Sequence, residues 1–339
     1  MDFVHANTLP MPDSLRTELP WLDMSLSMIG GLVLFIFSVT LLSEGLRAIG
    51  GDKVKNILSR FTTNRYSGVL TGTAATVIIS SSSITIITVI AMVNAGLLSF
   101  VQSLGVVMGS NIGTTFSSQL FAFDAEKFAP LILGAGLVLK TLGATPRWQN
   151  IGLITFALGL VFFSLGFIGD TMSPLRDYEP FRQTIRNLEN PWLGVLIGAG
   201  LTALIQSSSA MMGIVIAMAA QGMMTLPAGV AVMLGAEIGT CANTLIAAIG
   251  RNRHAIRTGA FHLLFNITTV IFGVLLVEQI IAITAWLSGG ADLERQIANA
   301  HMLFNVGGVV LFVFFVGTIA QILQWLFPDK EDKKKAVHA

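Results

Sequence analysis

The chain has 339 residues, of which 53% are hydrophobic and only 12% charged, against about 25% charged in an ordinary soluble domain. With a mean hydropathy of +0.74, this excludes a soluble globular core and identifies a polytopic membrane protein. A formal net charge of +1 gives no basis for a nucleic-acid partner, and the lone cysteine, Cys241, excludes an intrachain disulfide or a thiolate metal cluster.

Residues 1–25 form a polar lead-in. Asp2, Asp13, Glu18 and Asp23, with Pro10, Pro12 and Pro20, argue against a cleavable signal peptide. Apolar runs long enough to span a bilayer then fall at about 26–46, 100–121, 128–145, 150–171, 226–249, 258–287 and 299–326. Two further stretches, 66–98 and 194–224, are too long for one ordinary span and polar at the centre. The first holds "ISSSSIT" and the second "IQSSSAM". The chain ends in "FPDKEDKKKAVHA", a basic tail over 328–339.

The two serine segments are copies. At a constant offset of 126, 19 of the 51 positions from 68 to 118 are identical. "GVVMGSNIGTT" (105–115) falls on "AVMLGAEIGTC" (231–241), and "GLVLFIF" (31–37) resembles "GLVFFSL" (159–165). The chain therefore divides into a first repeat (26–147), a second (150–257) and two C-terminal helices (258–327). Internal duplication with binding elements at the repeat interface is typical of secondary transporters.

Lys and Arg placement sets the sides. The tail and Arg251, Arg253 and Arg257 lie on one side, the cytoplasm, which puts the C-terminus inside. If each serine segment is a re-entrant hairpin, the copies are inverted, and Arg176, Arg182 and Arg186 lie outside. If each spans once, the copies are parallel, which the charge count alone slightly prefers. The length of the segments favours hairpins. The expected fold is thus an all-α polytopic membrane protein with two repeats, of inverted topology, each carrying a broken re-entrant helical hairpin, plus two C-terminal helices.

A helix broken at membrane depth leaves backbone groups that only protein or a wet cavity can satisfy. Its N-terminal end suits an anion. Its C-terminal end and hydroxyl oxygens suit a small hard cation. Ser80, Ser81, Ser82, Ser83 and Thr85 in the first copy, with Gln206, Ser207, Ser208 and Ser209 in the second, serve either ion. The plain alternative is Ser and Thr as small interhelix packing residues. The second polar element pairs "GSNIGTTFSS" (109–118) with "GAEIGTCANT" (235–244). It supplies Asn111, Thr114 and Thr115, then Glu237, Thr240 and Asn243. Glu237 is the lone acid of its run, and an intramembrane carboxylate marks a functional site by default: sodium ligand, proton carrier or partner to a buried donor. "HLLFN" (262–266) and "HMLFN" (301–305) set His and Asn four apart on one helix face, as interhelix glue or as caps for the broken segments.

These motifs resemble the type II sodium–phosphate cotransporters, whose pattern is a twice-repeated T-A-x-x-Q-S-S-S followed by G-[AS]-N-I-G-T-[TS]. Here these are Thr202–Ser209 and Thr76–Ser83, then Gly109–Thr115 and Gly235–Cys241, and the likeness covers nearly the whole chain. It implies a bacterial inner-membrane symporter of inorganic phosphate and sodium, not an enzyme, working by alternating access without any cofactor beyond sodium as coupling ion. It also implies that Ser81, Ser82, Ser83, Gln206, Ser207, Ser208 and Ser209 bind phosphate. Ser80, Thr85, Asn111, Thr114, Thr115, Glu237, Thr240 and Asn243 are the sodium candidates. Three departures stand out: Ser80 replaces Gln, Glu237 replaces Asn, and Cys241 replaces the last Thr or Ser. The serine segments contain no Lys or Arg, so sodium is expected to supply the charge that compensates the anion. Rival readings are a carrier of another small anion, proton coupling through Glu237, an intramembrane serine hydrolase, and a structural or signalling protein.

Overall fold

A computed structural model describes residues 20–123 and 125–328. The lead-in up to residue 19 and the basic tail from 329 lie outside the described residues. The first part of the chain forms α1 (Trp21–Phe61), α2 (Arg65–Ile79), α3 (Ser82–Asn94), α4 (Phe100–Phe121) and α5 (Ala129–Leu142). It continues with α6 (Pro146–Met172), α7 (Glu179–Asn187), α8 (Pro191–Ile205), α9 (Ser208–Ala220), α10 (Leu226–Gly239) and α11 (Cys241–Ala248). The last helices are α12 (Arg253–Leu275), α13 (Val277–Ser288), α14 (Leu293–Phe312) and α15 (Val316–Leu326). Every regular element among the described residues is a helix.

The duplication is visible in the element bounds. Those of α2 and α3, moved by 126 residues, become those of α8 and α9, and α4 becomes α10 with α11. Local capping explains the starts. Asn64 caps α2 through Tyr66 and Ser67, and Asn190 caps α8 through Trp192 and Leu193. Ser99 and Thr225 cap α4 and α10.

The packing of α2 on α4 gives the hairpin its direction. Gln102 Nε2 donates to the Thr62 carbonyl at 2.6 Å, and Gly105 lies beside Gly68. Further along, Gly113 lies beside Thr76, and the Ser80 and Ser117 hydroxyls are 3.1 Å apart. The two helices therefore run side by side in the same direction. Because α4 starts where α2 starts, α3 has returned to that end, and α2–α3 is a hairpin. The pair α8–α10 repeats this: Thr225 Oγ1 donates to Glu189 at 2.9 Å near the start, and Asn243 reaches Gln206 at the tip. Contact this close requires glycine. A Cβ on Gly109 would meet the Val69 carbonyl, and one on Gly235 the Val195 carbonyl.

The hairpins open toward opposite ends of the bundle. At the far end of α11, Asn252 N and Nδ2 donate to Asn94 Oδ1 and O, both at 2.9 Å, at the mouth of the first hairpin. The start of α10 lies at the mouth of the second. α1 and α6 cross antiparallel between the halves, with Gly31 against Ile168 and Gly45 against Ile154. Two large apolar cores result: one packs α9 with α1, α6, α10 and α14, and the other packs α3 with α4, α12 and α15; a small third one joins the start of α5 to α6.

Among the described residues, four helices are long and apolar enough to cross a membrane: α1, α6 with the turn that follows it, α10 with α11, and α12. Counting each of two sharply bent pairs as one span makes six. The details differ from the sequence reading. α1 runs on to Phe61, 41 residues or roughly 60 Å: no Pro follows the apolar part, and Gly50 and Gly51 are carried within the helix. α4 falls outside this set despite its 22 residues, and α5 is only 14 residues long. The two expected C-terminal helices are α12 and α14. Each is followed by a short helix, and α15 turns 78° from α14.

The inverted arrangement has a direct test. In a Cys241→Ser background, Thr63→Cys and Asn187→Cys, which precede the two hairpins, should react with a membrane-impermeant maleimide from opposite faces of sealed vesicles. Labelling of both from one face would contradict it.

Candidate functional site

Each hairpin is broken by one non-glycine residue in the left-handed region: Ser80 (φ 57°) and Gln206 (φ 61°). These two are the non-glycine residues with positive φ among the described ones. The residue after each is extended, Ser81 at φ −156° and Ser207 at φ −151°. Their side chains cap the second half-helix by accepting from Ile84 N at 3.3 Å and Ala210 N at 3.1 Å. The first-turn amides of α3 and α9, those of Ser82–Ser83 and Ser208–Ser209, are groups that a helix leaves without internal partners. With the N-terminal dipole of each half-helix they offer partial positive charge at the tip.

The two tips share one cavity of about 600 Å³. Its wall contains Ser80, Ser81, Ser82, Ser83, Gln206, Ser207, Ser208, Ser209 and Asn243. All seven residues expected for the substrate, and two of the sodium candidates, are therefore together. The other candidates stand behind them. Thr240 Oγ1 is 3.4 Å from Ser83 Oγ and joins the second repeat to the first tip. Thr85, Thr114 and Thr115 donate to carbonyls of their own turns, those of Ser81, Ser110 and Ile112. Asn111 donates to Asn266 Oδ1 at 2.5 Å. Glu237, buried, accepts from His301 Nε2 at 2.8 Å and from Asn305 Nδ2 at 2.9 Å, both at Oε1.

The sequence reading missed the third wall of the cavity. α1 contributes Ser43, Glu44 and Arg47, and Ser43 Oγ is 3.5 Å from the Ser80 carbonyl. Neither Glu44 nor Arg47 was among the candidate residues. A helix continuing beyond the apolar run, with Thr40, Ser43, Glu44 and Arg47 on one face at helical spacing, was the available signal. An arginine at the cavity wall also revises the expectation that sodium alone compensates the anion.

Two buried threonine hydroxyls, Thr76 and Thr202, make no hydrogen bond with the described residues. They are equivalent positions one turn before each tip, and each sets its Cβ against a glycine of the neighbouring helix, Gly113 or Gly239. His262 and His301 are not arranged for nucleophilic chemistry. The Nδ1 partners of His301 and His262 are Ser118 and Thr244, each at 2.7 Å, and not a tip serine.

Helical hairpins meeting at a polar cavity inside a multi-spanning bundle define the class as a membrane transporter. The family model described as Na+/Pi-cotransporter matches residues 34–170 and 178–336, and the chain belongs to that family of transporters. It is 30% identical over 240 residues to the uncharacterized protein YqeW of Bacillus subtilis, covering 70% of this chain and 78% of that protein. It is 22% identical over 243 residues to the putative inorganic phosphate export protein YjbB of Escherichia coli K12, covering 71% of this chain and 45% of that one. The rat sodium-dependent phosphate transport protein 2A is 30% identical over 176 residues, 48% of this chain and 28% of its own length. The matched part is thus under half of the latter two relatives. No solved structure matches.

Left-handed backbone at Gln206 costs a non-glycine residue about 1–2 kcal/mol, and more when the side chain is β-branched. Gln206→Gly should therefore unfold at a temperature no lower than the parent, and Gln206→Val several degrees lower, by nanoscale fluorimetry in detergent. The inverse order would show that the tip is not held in this conformation.

Proposed function

We propose that the protein is a secondary-active transporter that moves inorganic phosphate coupled to sodium, with the anion held between the two hairpin tips. One observation carries this reading: two half-helix N-termini and their seven Ser and Gln side chains line a single cavity. Serine hydroxyls and amides can surround a tetrahedral oxyanion as donors, and Arg47 adds a positive charge at the wall. The oxygens that remain suit sodium. Asn243 spends its amide N–H on the Gln206 carbonyl at 2.7 Å, which leaves its Oδ1 free to accept a cation. Thr240 and Ser80 supply hydroxyl oxygens on either side. Thr85, Thr114 and Thr115 support these through the helix turns to which they bond. Asn111 and Glu237 are engaged with nitrogen donors or acceptors of other helices, and this reading leaves both outside the ion shell.

Alternating access follows from the inverted hairpins. The cavity reaches the α1 side, toward the mouth of the first hairpin, where Glu44 and Arg47 stand. Exchange of the two repeats' conformations would open it toward the mouth of the second. The bacterial inner membrane, with the C-terminus in the cytoplasm, is the setting this reading assigns. Sodium then provides the driving gradient and part of the charge that phosphate needs in a low-dielectric site. The likeness to a putative phosphate export protein favours a second direction, outward transport, with the same site.

In proteoliposomes, an inward sodium gradient should raise uptake of labelled phosphate several-fold. Ser82→Ala and Ser208→Ala should each raise KM roughly tenfold, as expected for one lost hydrogen bond to a charged ligand. Uptake that ignores sodium and follows a pH gradient would replace sodium by protons as the coupling ion. Comparison of right-side-out and inverted vesicles decides between import and export.

A further inference from the structure

The two HxLFN phrases were read as interhelix glue or as caps for the broken segments, and their contacts follow the internal symmetry. His301 Nδ1 lies 2.7 Å from Ser118 Oγ, and His262 Nδ1 lies 2.7 Å from Thr244 Oγ1. Ser118 and Thr244 are equivalent positions of the duplication. The exchange that relates the repeats therefore also relates α14 to α12, although no offset of 126 connects them. The residue just before each partner anchors a tip: Ser117 meets the Ser80 hydroxyl at 3.1 Å, and Asn243 donates to the Gln206 carbonyl at 2.7 Å. The chain of contacts from tip to anchor to histidine thus occurs twice, and both histidines with their hydroxyl partners are buried.

We propose that His301 and His262 are the positioning residues of the two hairpin tips, one for each, and that Glu237 of the second repeat acts through His301 on the tip of the first. The inference rests on the reading of the tips as the substrate site. Donor accounting fixes how the wiring runs. Oε1 of Glu237 already accepts from Asn305 Nδ2, so His301 presents Nε2–H to the same oxygen at 2.8 Å, and Nδ1 accepts the Ser118 hydroxyl proton. At His262 the order is reversed. Asn266 Nδ2, a donor, lies 3.2 Å from Nε2, so Nε2 accepts and Nδ1–H donates to Thr244. Thr244 in turn donates to the Cys241 carbonyl at 2.9 Å. The two rings are opposite tautomers. The cause is the one pair of equivalent positions at which an acid faces an amide, Glu237 and Asn111. Simple packing glue would not reproduce a matched contact on each side with the proton placed oppositely.

The test is a set of double-mutant cycles read as KM and kcat for phosphate in proteoliposomes. His301→Ala and Ser118→Ala should each raise KM roughly tenfold, about the value of one lost hydrogen bond, with a smaller change in kcat. The double variant should be no worse than the poorer single one. His262→Ala and Thr244→Ala should couple in the same way, whereas Ser118→Ala with His262→Ala should multiply. His301→Gln, which keeps an N–H donor for Glu237, should recover part of the loss. Multiplying effects within a chain, or equal coupling across chains, would overturn the proposal.

A measurement on the unmodified protein removes dependence on the variants and on the substrate. Nitrogen NMR of histidine-labelled protein should show one buried ring protonated at Nε2 and the other at Nδ1. Two rings of the same tautomer would also overturn it. If the wild-type protein carries no phosphate at all, the functional reading fails, and the tautomer measurement still decides the wiring.

Discussion

A helix that stops inside an apolar layer must find partners for the polar groups its end exposes, and this molecule meets that demand twice with one device. A second helix is laid parallel to the broken one, close enough that glycine lines the contact, and it brings a polar side chain to the break. The anchor lies 37 residues beyond the tip in both copies, Ser117 for Ser80 and Asn243 for Gln206. The glycines at 68, 72, 105, 109 and 113 set this register in the first repeat. A slip of one residue along α4 would move Ser117 out of register with Ser80 and break the glycine contacts. Close packing of small residues and the polar tip are therefore one constraint.

The same constraint explains what could be read from the chain and what could not. A serine cluster in an apolar run is improbable without a structural reason, and its recurrence at a constant offset located each tip to a cluster of four residues. The parts that were missed follow other physics. The third cavity wall comes from α1, whose apolar run ends near residue 46 while its helix continues through Arg47 and the Gly50–Gly51 pair. The breaks after Leu275 and Phe312 carry no Pro, and Gly273 is the one glycine within three residues of either. The symmetry between α12 and α14 was out of reach because these helices share only a five-residue phrase and a spacing unrelated to the duplication.

The scaffold is close to symmetric, but the chemistry on it is not. Equivalent positions hold Ser80 and Gln206, Asn111 and Glu237, Ser118 and Thr244. An inverted duplication with identical side chains would present the same site from both faces. The differences are then where any preference for one face must reside, since a ligand shifts an equilibrium only through its unequal interactions with the two states. α11 adds to this. Its helix restarts at Cys241, where α4 runs on unbroken, so the second repeat carries an extra joint beside its tip.

The two left-handed residues bear on function in a more direct way. Glycine would occupy either position with little steric cost, yet the chain places Ser at one and Gln at the other. Backbone strain of this kind persists when the surrounding structure enforces it, and it clusters at sites where a side chain is needed. Here the side chains in question face a shared cavity, and their backbones end one half-helix and precede the cap of the next. Removing the strain by choosing glycine would leave the fold intact and strip two polar groups from the wall. That both repeats accept the strain, with different side chains, is an argument that those side chains are used.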